Sequence, residues 1–189
     1  INSISLSIGK LIDDFKESIY ITKDINSAKS IISRIKQEHR LDALNITFME
    51  IELAYAFQNW DAIINHKLIF QIIHARKPLV IRLHIIEAFY YTYISNSSNI
   101  KEDYIRYIKP NILNLLTSCP SNVTSEIKYM YLLAYSLGDI EYSNISSIIN
   151  DYLNNTLLLD QEKKIIEDKL SSENRMIENG DDLYLSTKA

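Results

Sequence analysis

Positive charge gathers at one place in an otherwise acidic chain. His74, Arg76, Lys77, Arg82 and His84 lie close together in sequence, and Arg106 and Lys109 follow further along. Guanidinium and ammonium groups at that density suit an anion, such as a phosphate, a nucleic-acid backbone or an acidic segment of a partner protein. His74, Arg76, Lys77 and Arg82 are therefore the expected anion contacts. The same residues also fit an interhelical loop whose long side chains lie along a buried helix with their charged ends in water. The charges are too few for tight, salt-resistant binding to DNA, which makes nucleic acid the weaker partner class.

Tyrosine is the second concentration. The chain has 13, with a dense set at Tyr90, Tyr91, Tyr93, Tyr104, Tyr107, Tyr129, Tyr131 and Tyr135. A tyrosine offers a large contact area at small entropic cost and a hydroxyl for a peptide backbone, so a Tyr-lined helical face suits a protein or peptide. Tyr90, Tyr93, Tyr104, Tyr107, Tyr131 and Tyr135 are the expected partner-binding residues; the alternative is that many are half-buried spacers between helices.

Other chemistry finds little support. The four His residues have no partner at metal-ligand spacing, and Cys119 stands beside Pro120 without a neighbouring Cys or His. His84 and Glu87 share one helix face but lack a second ligand pair. Gly9, Gly138 and Gly180 are too far apart to form a phosphate-cradling loop. No metal or cofactor is expected. One spacing stands apart: Arg34-Ile35-Lys36-Gln37-Glu38-His39 resembles the Arg-x4-His of HEPN-type helical ribonucleases. That resemblance implies an alternative in which Arg34 and His39 are the catalytic pair of a nucleic-acid-processing component of a microbial defence or toxin system.

The elements that would position these residues read as helices almost throughout. At 189 residues, with 47% hydrophobic residues, three Gly and three Pro, the chain can build a real core and is neither fibrous nor wholly disordered. A net charge of −4 and one Cys fit a reducing, cytoplasmic setting without disulfides. No apolar run reaches the ~18 residues of a membrane span. The first residue is Ile rather than Met, which fits a trimmed or processed start. Thirty-three Ile, with abundant Asn, Lys and Tyr, suggest an A- and T-rich, microbial coding sequence.

Apolar residues recur every three or four positions over about 3–20 and 24–38, giving two amphipathic helices. Asp42 caps a third, apolar on a wide face and so central. A fourth runs from Trp60 through Ile72 and stops before Pro78, which starts a fifth over about 78–95. Asn99 caps a sixth, to about 118, with Pro110 interrupting one hydrogen bond. A seventh spans about 124–137 and ends at Gly138, an eighth about 140–155, and a ninth, capped by Asp160, about 161–171.

These helices carry a repeat. Asn59-Trp60-Asp61, Asn99-Ile100-Lys101 and Asp139-Ile140-Glu141 recur every forty residues, each a polar residue ahead of an apolar one at a helix junction. Leu53-Ala54-Tyr55-Ala56-Phe57 also aligns with Leu133-Ala134-Tyr135-Ser136-Leu137, eighty residues on. Small residues such as Ala54 and Ala134 admit a close helix neighbour, and hairpins that cannot bury their own apolar faces stack to do so. Ala134-Tyr135-Ser136-Leu137-Gly138-Asp139 resembles the interhelical turn of tetratricopeptide-type repeats, although the period is nearer to HEAT units.

The expected architecture is all-α, of stacked antiparallel helical hairpins, with an irregular helical bundle as the alternative. An N-terminal hairpin (1–40) precedes repeats (41–156), a capping helix (157–172) and a mobile tail (173–189). The resemblance to such arrays implies a non-enzymatic adaptor or assembly subunit that binds a protein or peptide on its Tyr-rich face. Net acidity also suits an inhibitory partner of a toxin. Neither partner identity nor oligomeric state is encoded legibly.

Overall fold

A computed structural model describes residues 6–153 and Lys164. The expected start of the first helix before residue 6, the capping helix over 157–172 and the tail lie outside the described residues, apart from Lys164. The protein is all-α, with no strand among the described residues. It divides into two compact units between Ser98 and Asn99, inside the span expected to form one repeat block.

In the first unit, α1 (Ile8–Tyr20) and α2 (Ile25–Gln37) form the expected hairpin, with Ser7 and Asp24 as N-caps. Their apolar stripes close on each other and on α3 (Ala43–Ala56) through Leu11, Phe15, Ile19, Ala28, Ile32, Ile35, Ile46, Met49 and Leu53. Truncating a residue such as the fully enclosed Phe15 to Ala would cost about 3–5 kcal/mol, as lost burial plus a cavity. Asp42 caps α3, whose wide apolar face packs on α1, α2, α4 (Trp60–Ile64) and α6 (Leu79–Phe89). That central place is what such a face requires.

The expected fourth helix is two. After α4 the chain breaks at His66, whose Nδ1 accepts the Leu68 N–H at 3.0 Å, and restarts as α5 (Ile69–His74). A side-chain acceptor that satisfies a nearby backbone N–H offers an alternative to the next helical bond, and here it wins. Pro78 takes the N-cap position of α6, and the last turn of that helix widens into a π segment over Tyr90–Ile94, where the Ser95 N–H reaches back to the Tyr90 carbonyl at 2.9 Å.

In the second unit Asn99 caps α7 (Ile100–Asp103), which runs on through a second π segment (Tyr104–Ile108), α8 (Lys109–Ile112) and a 3₁₀ turn (Leu113–Leu115). A proline cannot donate to the carbonyl four residues back and its ring crowds it. The wider π register just before Pro110 accommodates this, and Asn111 Nδ2 donates to the Tyr107 carbonyl at 2.7 Å. Thr124 caps α9 (Ser125–Ser136), which packs on α10 (Tyr142–Leu153).

Two turns eighty residues apart have one geometry. After α3, Gln58 takes φ +54°, its N–H bonds to the Tyr55 carbonyl at 3.0 Å, and the Asn59 N–H bonds to the Ala54 carbonyl at 2.8 Å. After α9, Gly138 takes φ +80°, with the matching bonds Gly138 to Tyr135 and Asp139 to Ala134 at 3.0 Å each. Both are Schellman caps. The middle junction differs, since Asn99 follows a π segment and a turn instead. Asn59 and Asn99 cap the helices that follow, whereas α10 begins only at Tyr142 and Asp139 serves another purpose.

Candidate functional site

Three of the large exposed apolar side chains, Phe70, Leu79 and Val80, flank the basic stretch; Ile105 and Tyr142 are exposed elsewhere in the chain. On α5, Ile69, Ile72 and Ile73 are buried, and Phe70 and His74, one turn apart, face outward with Phe70 64% exposed. At the start of α6, Ile81 is buried while Leu79 is 50% and Val80 42% exposed. Between them, Arg76 is exposed and Lys77 half-buried. The five steps from His74 to Leu79 cover at most ~18 Å of chain. The stretch from Phe70 to Val80 thus carries three large exposed apolar residues and the exposed Arg76, with Pro78 giving α6 no side-chain cap.

The expected anion contacts do not all face outward alike. Lys77 Nζ donates to the Ile73 and Ala75 carbonyls at 3.0 and 2.8 Å, closing the C-terminus of α5. Burial first, and the positive charge of Arg82 second, lower its pKa. Its role is therefore largely structural, a correction to its expected place among the anion contacts. His74 and Arg76 remain exposed and Arg82 half-buried.

The first unit also holds an aromatic column. His84 stacks on Tyr55 with ring centres 3.6 Å apart, Tyr55 meets Trp60 edge-on at 5.6 Å, and Trp60 stacks on Tyr91 at 4.6 Å. The end of α3, the start of α4, the middle of α6 and the first π segment each supply a ring. His84 is 7% exposed, and its Nε2 finds no hydrogen-bond partner among the described residues. Burial pushes its pKa down to about 4, so the ring is neutral at pH 7. His84 is a packing residue, not a source of positive charge.

The tyrosines separate on burial. Tyr90 and Tyr93 are half-buried in the first unit, and Tyr107 and Tyr135 half-buried in the second. Tyr104 and Tyr131 are fully buried, which removes them from a docking face. Each hydroxyl has a reason to be inside: Tyr104 Oη donates to Asp139 Oδ2 at 2.7 Å, and Tyr131 Oη reaches the Leu115 and Ser118 carbonyls at 3.5 Å. Lys109 Nζ completes the first arrangement, 3.1 Å from Asp139 Oδ1. Burial, then the Asp139 carboxylate, push the Tyr104 phenol far above its ordinary range.

Arg34 and His39 are placed differently again. Arg34 Nε pairs with Glu38 Oε1 at 3.1 Å, in the last turn of α2. His39 lies beyond the helix at φ +50°, where its N–H bonds to the Lys36 carbonyl and the Arg40 N–H to the Ile35 carbonyl. This is a third Schellman cap, so the residues at both ends of the Arg-x4-His spacing take part in how α2 ends. Among the described residues no group of three or more His, Cys, Asp or Glu is placed to hold a metal. None of the helices described is long and apolar enough to cross a membrane.

A model of the DpdD-like protein family matches residues 2–157, which takes in every helix described above. The chain belongs to the DpdD-like family. No curated protein and no solved structure matches it. In this DpdD-like chain the family match covers the three Schellman caps, the aromatic column and the apolar-basic stretch alike. It does not indicate a tetratricopeptide or HEAT family.

Phe70, Leu79 and Val80 were not among the expected binding residues, yet their signal is in the sequence. In a helix, Ile69, Ile72 and Ile73 make one stripe and leave Phe70 about 100° away from it. Likewise, of three consecutive apolar residues Leu79-Val80-Ile81, only one can share the stripe of Ile85.

Proposed function

We propose that this DpdD-like protein is a non-enzymatic interaction subunit, which docks a partner protein on the outward face of α5 and the start of α6. The observation that carries this is the concentration of Phe70, Leu79 and Val80, large and exposed, within one chain segment that also carries His74, Arg76 and Arg82. Large apolar patches rimmed by polar groups are the usual mark of a docking site. Tyr90 and Tyr93 follow on the π segment that continues α6, each half-buried with an amphipathic ring.

The test is copurification from native cells. Wild-type protein retains a partner through washing, and Phe70→Asp releases it while the far-ultraviolet circular dichroism spectrum stays unchanged. Retention by Phe70→Asp sinks the reading. A parallel incubation with RNA addresses the enzymatic alternative: degradation by wild type that disappears in a folded His39→Ala protein would replace docking with catalysis by Arg34 and His39.

A further inference from the structure

We infer that His66 is a proton-operated latch on the joint between α4 and α5: the neutral ring holds the start of α5, and a second proton on the ring releases it. The latch does not depend on the docking reading above. His66 supplies both acceptors at that start. Its carbonyl takes the Ile69 N–H at 3.0 Å and its Nδ1 takes the Leu68 N–H at 3.0 Å. Leu68 is the N-cap residue of α5, and its apolar side chain provides no cap. The Leu68 carbonyl in turn accepts the Ile72 N–H at 2.9 Å, the first bond of the helix. Fixing the first turn is the costly step in forming a helix, so in one of six residues the contact that orients Leu68 bears on the whole element. An imidazole nitrogen accepts a hydrogen bond only when it carries no proton. The Leu68 N–H therefore fixes the tautomer, with the ring hydrogen on Nε2.

The surroundings of the ring decide what a second proton does. Nε2 lies 3.6 Å from Glu50 Oε1 on α3, and Lys36 Nζ on α2 is 3.6 Å from the same oxygen. Asp61 on α4, Lys67 in the joint and His74 on α5 are exposed. Arg82, His84 and Glu87 belong to α6, and Tyr90, Tyr91 and Tyr93 to the π segment, both of which pack on α4. Among the described residues, Glu50 is the one carboxylate within ion-pair distance of the ring. Its charge favours a positive imidazole, and because it faces Nε2 it holds the charged ring in the same orientation. The added proton then sits on Nδ1 and points at the Leu68 N–H, donor against donor, and the acceptor at the start of α5 is gone. The open joint therefore binds that proton more tightly than the latched one. By linkage, opening grows as pH falls, by at most about tenfold per pH unit. What it frees is α5, which carries the exposed Phe70.

The test is nuclear magnetic resonance on the full chain from about pH 8 to about pH 5, the interval in which histidine side chains change charge. Imidazole proton shifts follow the charge on His66, and hydrogen exchange, corrected for the intrinsic effect of pH, gives the protection of the Leu68 amide. Protection at Leu68 falls about tenfold or more as the ring titrates, while amides inside α1 and α2 keep theirs. His66→Asn retains an acceptor for an N–H two residues on and takes up no proton, so Leu68 stays protected at every pH. His66→Ala leaves Leu68 unprotected throughout. Circular dichroism confirms that each variant is folded, and the wild-type curve decides the matter where one is not. Constant protection of Leu68 across the titration overturns the latch, as does a ring that stays uncharged to pH 5. A loss in His66→Asn equal to that of wild type also overturns it, assigning the response to another group.

Discussion

The turn after α3 and the turn after α9 share backbone hydrogen bonds and a left-handed residue, but they are clamped by opposite physics. In the first unit the clamp is aromatic: Tyr55, just before the turn, stacks on His84, and Trp60, just after it, stacks on Tyr91. In the second, Tyr135 occupies the matching position and meets Tyr142 edge-on at 6.4 Å, while Asp139 gathers the Tyr104 hydroxyl and the Lys109 ammonium. Asn59, the counterpart of Asp139, caps α4 through the Ala62 N–H. A local turn signal therefore sets the backbone, and what the side chains around it meet sets how it is held.

Acid separates the two clamps by the largest margin. Unfolded, His84 takes up a proton near pH 6.5; folded, it refuses one until about pH 4. Between those values the unfolded chain binds more protons, so stability falls as pH drops through the window, by about 3 kcal/mol once pH nears 4. Urea midpoints of wild type and His84→Phe, measured from pH 7 to 4, isolate that contribution from the carboxylates common to both. Phe keeps the stack on Tyr55 and removes an unpartnered nitrogen, so the variant is at least as stable at pH 7 and loses less on acidification. An equal loss in both proteins means that the column is not what acid attacks.

Removing the carboxylate of the second clamp comes next. Asp139→Ala strands a buried phenol hydroxyl and costs about 2–3 kcal/mol, whereas Asn59→Ala loses a cap and costs about 1 kcal/mol. Equal losses in denaturant would erase the contrast. The two clamps also differ at alkaline pH. Because the folded Tyr104 phenol titrates far above its ordinary 10.0, the unfolded chain ionises first, and stability declines as pH rises beyond about 10. Tyr104→Phe loses that part of the decline, and an unchanged alkaline limb would show that Tyr104 is not its source.

How much of this was legible follows the range of the interactions. Helix starts were, because Asp42, Asn59, Asn99 and Thr124 each satisfy an N–H three residues away, a contact contained in the local sequence. The break at His66 was not, since an imidazole that accepts the Leu68 N–H competes with a helix the apolar spacing otherwise supports. The placement of the tyrosines was half legible. Density and helical spacing located the rings, but the burial of Tyr104 depends on Asp139, thirty-five residues on, and that of Tyr131 on carbonyls released where the 3₁₀ turn ends. Asp139 stands at the junction where Asn59 and Asn99 cap a helix, but tertiary pairing with Tyr104 and Lys109 claims its carboxylate instead.

The smallest effect probes what the two turns share. A residue with a side chain pays about 1 kcal/mol to sit in the left-handed region, and glycine does not. Gln58 pays this at φ +54°, and so does His39 at φ +50°, whereas Gly138 at φ +80° avoids it. A Cβ added at Gly138 would meet nothing within 4 Å, so Gly138→Ala measures backbone strain without a clash. It should lower stability by about 1 kcal/mol, and Gln58→Gly should raise it by a similar or smaller amount, since glycine also gains freedom in the unfolded chain. Opposite signs in denaturant, with each clamp left intact, would establish that one backbone device closes both helices. Matching signs would mean that the clamps, not the turn, decide where α3 and α9 end.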